Sequence, residues 1–152
     1  MIRGAVLFSL FMIVAGCLDQ LGPDVGAKQF NTCVDEDSDP SNPISFERDI
    51  RQGIFNRPTI HCVKCHTPGG ATPIGIMIGG LDLSTYDTLK HGGFHSATTI
   101  VIAGKPCEST IVQKISAAPP FGVRMPKDGP PYLVAADAQI IVDWIAEGAN
   151  DN

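Results

Sequence analysis

Long apolar runs, sustained strand-like alternation and an excess of positive charge are all missing from this sequence of 152 residues. Its 11 basic and 16 acidic residues give a net charge of −5, so it lacks the basic face that nucleic-acid binding needs. The most apolar stretch, residues 5–15, is too short to cross a bilayer as a helix. We find no internal repeat, and residues 98–103 come nearest to a strand pattern. These absences predict a small, mostly helical protein with one domain.

The first 16 residues have the features of an export signal. Arg3 precedes the apolar run, which ends in Val14-Ala15-Gly16-Cys17. This ending resembles the lipobox of bacterial lipoproteins, and the resemblance implies cleavage before Cys17 and attachment of diacylglycerol to its thiol. The alternative is an ordinary secretory signal in which Cys17 carries no lipid. Both interpretations predict export, and the first predicts a membrane anchor on the periplasmic or outer face.

The remaining chain divides into an acidic flexible tether, residues 17–44, and a globular domain, residues 45–152. The tether is rich in Gly, Pro, Asp, Asn and Ser, which favours a solvated linker. Alternating acids at 35–39 look like the start of a calcium loop, but Pro40 and Phe46 occupy the positions that need Gly and Glu. A charged linker is therefore the better interpretation. The charged residues of the tether are Asp19, Asp24, Lys28, Asp35, Glu36, Asp37 and Asp39.

Apolar periodicity and capping residues predict four helices in the domain, and hence an all-α fold. We expect Trp144, on the apolar stripe of the last helix, to pack against the first helix with its N–H bonded to a carbonyl. The Gly- and Pro-rich residues 67–80 predict a loop. The helices are predicted from Ser45 as N-cap to Phe55, from the capping-box pair Ser84 and Asp87 to Gly92-Gly93, from Ser109 to Ile115, and from Ala135 to Glu147.

The segment Cys62-Val63-Lys64-Cys65-His66 is the attachment motif of c-type haem. Two thiols at this spacing can each add to a haem vinyl group, and the imidazole that follows can bind the iron. Cys62 and Cys65 are therefore predicted to hold one haem c through thioethers, with His66 as an axial ligand. The same three residues could instead form a zinc or dithiol module without covalent haem. Export favours haem, because haem c is attached outside the cytoplasmic membrane.

Segments spread over residues 45–149 resemble the monohaem cytochrome c domains of exported bacterial proteins and lipoproteins. The resemblance implies a small helical bundle in which the first and last helices cross beside one covalent haem. It also implies that Met125 is the second axial ligand. Cys107, His91 and His95 depart from the family pattern. The matching segments are Phe46–Ile50, Cys62–His66, Leu81–Ser84, Arg124–Pro126 and Asp143–Ala149.

Met77, His91 and His95 are the rivals of Met125 as iron ligands. We expect Met77 to fill space around the porphyrin and the two histidines to lie at the surface. Met125 lies in a loop stiffened by prolines, which suits the presentation of a sulfur without helical support.

Other polar residues near these positions have weaker assignments. His61 is expected at the surface. The flanking Arg124 and Lys127 would either bind a haem propionate, steer an acidic partner or face solvent.

Assigning Cys17 to a lipid and Cys62 and Cys65 to haem leaves Cys33 and Cys107. Free thiols are disfavoured in an exported protein, so we expect these two to form a disulfide. The alternative is a pair of buried, unpaired thiols.

The predicted function is single-electron transfer between exported or membrane-bound redox proteins, which dock at the exposed haem edge. No catalytic residue is needed, so the chain is expected to be an electron carrier and not an enzyme. The alternative is a haem sensor, small-ligand binder or weak peroxidase with an open sixth coordination site. Carbon monoxide binding to the reduced protein discriminates between the two.

Overall fold

The computed structural model describes residues 33–152, and within that range the chain is helical with no β-strand. The all-α prediction is therefore confirmed. The predicted signal peptide, the predicted lipid site Cys17 and residues 17–32 of the predicted tether lie outside the described residues. No helix in the described range is long and apolar enough to cross a membrane. The helices are α1 (Phe46–Phe55), α2 (Cys62–His66), α3 (Ile74–Gly79), α4 (Tyr86–His91), α5 (Thr110–Ile115) and α6 (Ala135–Ala146), with 3₁₀ turns at Ala97–Ile100 and Pro106–Glu108.

Helices α1 and α6 pack together around Trp144, which is fully buried. Its ring lies 5.4 Å from that of Phe46, and Tyr86 of α4 meets it edge-on at 6.4 Å. The indole N–H donates to the carbonyl of Asn150 at 2.9 Å, so the polar end of the side chain is satisfied. Both parts of the prediction for Trp144 are confirmed. Ile50 and Ile54 of α1 and Ile141 and Ile145 of α6 continue the core.

Capping explains where the first helix begins. Ser45 is the N-cap of α1, and its hydroxyl accepts a hydrogen bond from the Arg48 N–H at 3.2 Å. The same hydroxyl donates to the carbonyl of Asn152, which ties the end of the chain to the start of the domain. Helix α1 is wound as a π-helix and ends at Phe55. The predicted bounds of this helix are confirmed.

Helix α4 begins one residue later than the predicted capping box. Thr85, not Ser84, is the N-cap, and its side chain exchanges hydrogen bonds with Thr88. Ser84 instead bonds to the Asp82 carboxylate. The predicted stop at Gly92 is confirmed, since the helix ends at His91.

Two shorter segments differ from their predictions. Residues 67–80 are not all loop, because α3 forms at Ile74–Gly79 after Pro73. Residues 98–103 contain the end of a 3₁₀ turn and no strand. Helix α3 has only six residues, two of them glycine, and is too short to show a hydrophobic periodicity. It could therefore not be predicted from the sequence.

Residues 33–44 are attached to the domain by side-chain bonds to α6. The Asp143 carboxylate accepts from the backbone and hydroxyl of Ser38 at 3.0 and 2.6 Å. The Ile44 N–H donates to Glu147 at 2.8 Å, and the Ile44 side chain is buried. At the other end of the segment, Cys33 is joined to Cys107 by a disulfide with a Cα–Cα distance of 5.6 Å. This part of the predicted tether, here called the strap, is mostly exposed to solvent but is bonded to the domain at these points.

The Glu147 carboxylate, which accepts the Ile44 N–H, predicts that stability depends on pH. Burial raises the pKa of Glu147 above its ordinary value of 4.5, and Asp37 and Asp143 nearby add to the shift. One of its oxygens is buried without a hydrogen-bond partner. Below pH 4.5 the carboxyl group is mostly protonated in both the folded and the unfolded state, so it does not lower the free energy of unfolding. As pH rises through the raised pKa of the folded state, the buried group ionises and the free energy of unfolding falls.

We therefore predict that Glu147→Gln gains stability relative to the wild type as pH rises from 4.5 to 7. Urea unfolding followed by circular dichroism at several pH values measures the difference. Glu47→Gln is the control of opposite sign, because hydrogen bonds from Arg51 and Gln52 lower the pKa of Glu47 to about 2. That variant should lose stability at pH 7, and the loss should fade as pH falls below 4.5 towards 2. Parallel pH profiles for wild type and Glu147→Gln would contradict the assignment.

Candidate haem site

A cavity of about 590 Å³ opens between α1, α2, α3, α5, α6 and the loop at residues 121–128. Its walls are mainly apolar, and its volume lies in the range of about 300–1,000 Å³ that is usual for cofactor and ligand sites. Four side chains predicted to hold haem line this one cavity: Cys62, Cys65, His66 and Met125. The fold thus brings together residues that are far apart in the sequence.

The imidazole of His66 is fixed by a backbone carbonyl. Its Nδ1 lies 3.0 Å from the carbonyl oxygen of Leu81, which selects the tautomer with the proton on Nδ1. The backbone of His66 is held from the same side, since its carbonyl accepts from the Leu83 N–H at 2.8 Å. Metal-binding histidines usually donate their second ring N–H in this way. Nε2 is left as the nitrogen available to an iron atom.

Burial also keeps His66 in its neutral form, because desolvation lowers the pKa of its imidazole. A neutral imidazole has the free lone pair that metal coordination requires. The ring is therefore both oriented and neutral, so that Nε2 has a free lone pair for a metal ion.

Gly75 allows helix α3 to approach the His66 ring. A Cβ atom at position 75 would lie 2.5 Å from both Nδ1 and Cε1 of the imidazole, closer than real contacts permit. Glycine is needed here for space, not for an unusual backbone conformation. The close approach lets α3 form one wall of the cavity directly beside the proposed ligand.

The two motif cysteines are not joined to each other and are partly buried. Burial raises the pKa of the Cys62 thiol to about 11, so the thiol is protonated at neutral pH. Redox-active and nucleophilic cysteines instead have lowered pKa values. Among the described residues, no group of three His, Cys, Asp or Glu side chains has the arrangement of a metal site. Neither observation favours the dithiol or the zinc interpretation.

Met125 is held at the cavity by the end of helix α5. Its N–H donates to the Lys114 carbonyl at 2.8 Å. The preceding Arg124 donates from Nε to the Ile115 carbonyl at 2.8 Å and lies over the Tyr132 ring at 4.2 Å. Arg124 is thus partly buried and bonded within the protein, unlike a solvent-facing charge.

The rival ligands occupy different places. Met77 has 75% of its surface exposed and does not line the cavity, so the expectation that it packs around the porphyrin is wrong. His91 is exposed, outside the cavity, and its Nδ1 lies 2.7 Å from the Asp87 carbonyl. His95 does line the cavity, with its ring 5.3 Å from that of Phe121. His95 is therefore the remaining rival of Met125.

His61 and Lys127 lie at the edge of the cavity. Both are exposed, as expected for His61, and His61 Nδ1 is 3.4 Å from the Asp128 carboxylate. His61 therefore connects the start of the attachment segment to the loop that carries Met125.

Three parts of the site could not be predicted from the sequence: the Leu81 carbonyl, Gly75 and Lys114. A backbone acceptor leaves no residue-type signal, and Gly75 is one of several glycines in its region. Lys114 precedes the loop and has no motif of its own. Comparison of the chain with protein-family models and with curated protein sequences finds no match.

Gly75→Ala should disturb the His66 ring, whereas Gly79→Ala should not. Both glycines lie in α3, but a Cβ at position 79 has no atom within 4 Å. In an otherwise unstrained helix, replacing Gly by Ala stabilises by about 0.4–1 kcal/mol. We expect this for Gly79→Ala and a net loss for Gly75→Ala in thermal unfolding. Equal stability of the two variants would show that α3 does not constrain the imidazole.

Proposed function

We propose that this protein is a monohaem c-type cytochrome that carries single electrons between exported redox partners. The observation that carries the proposal is the shared cavity, in which two partly buried cysteines, an oriented neutral imidazole and a methionine meet. Bound haem would supply reversible one-electron cycling of its iron. Each protein group has a separate part in holding that cofactor.

Cys62 and Cys65 would hold the haem by thioether bonds, and His66 would bind the iron through Nε2. The bond from Nδ1 to the Leu81 carbonyl keeps the ring orientation constant during redox cycling. Met125 would supply the sixth ligand. A thioether ligand favours the reduced iron and raises the reduction potential.

The apolar walls of the cavity would exclude water from the porphyrin face. Ile54, Ile111 and Ile141 contribute side chains from three different helices. A low-dielectric environment of this kind also affects the potential, because it disfavours the more highly charged oxidised site. No residue of the site needs to bind or release a substrate proton.

We also propose that the protein is exported. The lipobox-like sequence supports lipid attachment at Cys17 and an anchor in a membrane facing the periplasm or cell exterior. The Cys33–Cys107 disulfide supports export, since such bonds persist in oxidising compartments.

Production of the full chain with c-type cytochrome maturation tests the cofactor. We expect one haem per chain that resists acidic organic extraction, and a reversible one-electron titration. The double variant Cys62→Ala/Cys65→Ala should carry no covalent haem. A colourless wild-type protein, or haem that is wholly extractable, would refute the proposal. Cys17→Ser tests the anchor separately, because this chain should lose the covalent lipid and the membrane association expected of the wild type.

Met125→Ala tests the sixth ligand and distinguishes an electron carrier from a ligand-binding haem protein. Haem should remain attached, but the sulfur-to-iron absorption band should disappear, carbon monoxide should bind, and the potential should fall. Met77→Ala is the matched control, because exposed substitutions usually change stability by less than about 0.5 kcal/mol. Carbon monoxide binding by the reduced wild type would favour the open-site alternative. Loss of low-spin spectra in His95→Ala alone would assign the ligand to His95.

A further inference from the structure

Lys114 contacts the loop of Met125 through both its backbone and its side chain. Its carbonyl accepts the Met125 N–H at 2.8 Å. Its ammonium group donates to the carbonyls of Phe121 and Val123, each at 2.6 Å. Three residues of the loop are therefore bonded to one residue at the end of α5.

The side chain also packs against the loop that it bonds. The ammonium nitrogen lies 4.7 Å from the centre of the Phe121 ring, within the range of a cation–π interaction. Phe121, Lys114 and Met125 all line the cavity. An ionised donor forms stronger hydrogen bonds with carbonyls than a neutral donor does. Removal of the ammonium group would lose these bonds and would also leave both carbonyls without this partner.

Apart from Lys114, the loop is held by Arg124, which donates to the Ile115 carbonyl at 2.8 Å, and by the contact of Phe121 with the His95 ring. It follows Pro119-Pro120 and contains no helix, and Phe121, Gly122 and Val123 are all exposed. Its carbonyls at 121 and 123 both point to a single ammonium group. A side chain with only one donor hydrogen could not satisfy both at once.

We propose that Lys114 is a positioning residue that holds the Met125 sulfur in place as the sixth iron ligand. The inference rests on the proposed function for its haem part. Its structural part, that the ammonium group orders residues 121–125, can be measured with or without haem.

Lys114→Met tests both parts, since methionine keeps the apolar stem and removes the charge and the donors. In the full haem-loaded chain we expect attached haem, a weakened or absent sulfur-to-iron band, carbon monoxide binding and a lower potential. Hydrogen exchange at the Met125 amide should be faster by about ten- to a hundredfold, the range that corresponds to loss of a charged hydrogen bond.

Lys90→Met is the matched control. Lys90 also donates to a backbone carbonyl, that of Val101 at 3.3 Å, and it does not line the cavity. This variant should keep the wild-type spectrum, carbon monoxide behaviour and Met125 exchange, even if it loses some stability. A spectrum and a Met125 exchange rate in Lys114→Met that match those of Lys90→Met would overturn the inference.

Lys114→Gln covers the case in which the methionine variant does not fold. Its amide group can donate to the loop on a shorter, uncharged side chain, so an intermediate loss of the sulfur band supports the inference and a wild-type band overturns it. Failure of the wild type to bind haem would refute the proposed function alone. Met125 exchange in the haem-free chains would then still support or overturn the ordering of the loop by Lys114.

Discussion

Contact between the first and last helices determines where the other segments can lie. Trp144 joins α6 to Phe46 of α1 and to Tyr86 of α4, so three elements distant in sequence meet at one buried ring. The Ser45 hydroxyl and the Asn152 carbonyl then connect the ends of the domain. Helices of five or six residues are marginal alone, because their nucleation is costly. The short helices α2, α3, α4 and α5 therefore depend on this frame for their stability.

The cavity beside that frame has mainly apolar walls, and these would pack against one another if nothing held them apart. The structure holds them apart by fixing the backbone around the cavity. Leu81 and Leu83 bond to His66, and Lys114 bonds to Met125. Gly75 contributes by being small, because any side chain at that position would displace the imidazole. Polar backbone bonds thus maintain a space that apolar packing would otherwise reduce.

The amino-acid pattern was sufficient to predict α1 and the packing of Trp144, but it placed the cap of α4 one residue too early. The stripe of α1, the Ser45 cap and the burial of Trp144 follow from periodicity and side-chain chemistry. Helix α3 could not be predicted, because its glycines and isoleucines have low helix propensity and tertiary contacts stabilise it. The attachment of the strap at residues 33–44 could not be predicted either, because its composition is that of a linker and its bonding partners, Asp143 and Glu147, lie about a hundred residues away.

The two proposed ligands differ in how firmly the fold holds them. His66 belongs to a helix and has its ring and backbone bonded to residues 81–83. Met125 lies in a loop whose support comes from the last turn of α5. Because loops open locally at lower free energy than packed helices, the methionine side is the weaker of the two. The proposed electron carrier would need that side to remain closed in both redox states, and the bonds from α5 to the loop are the part of the structure that would keep it closed.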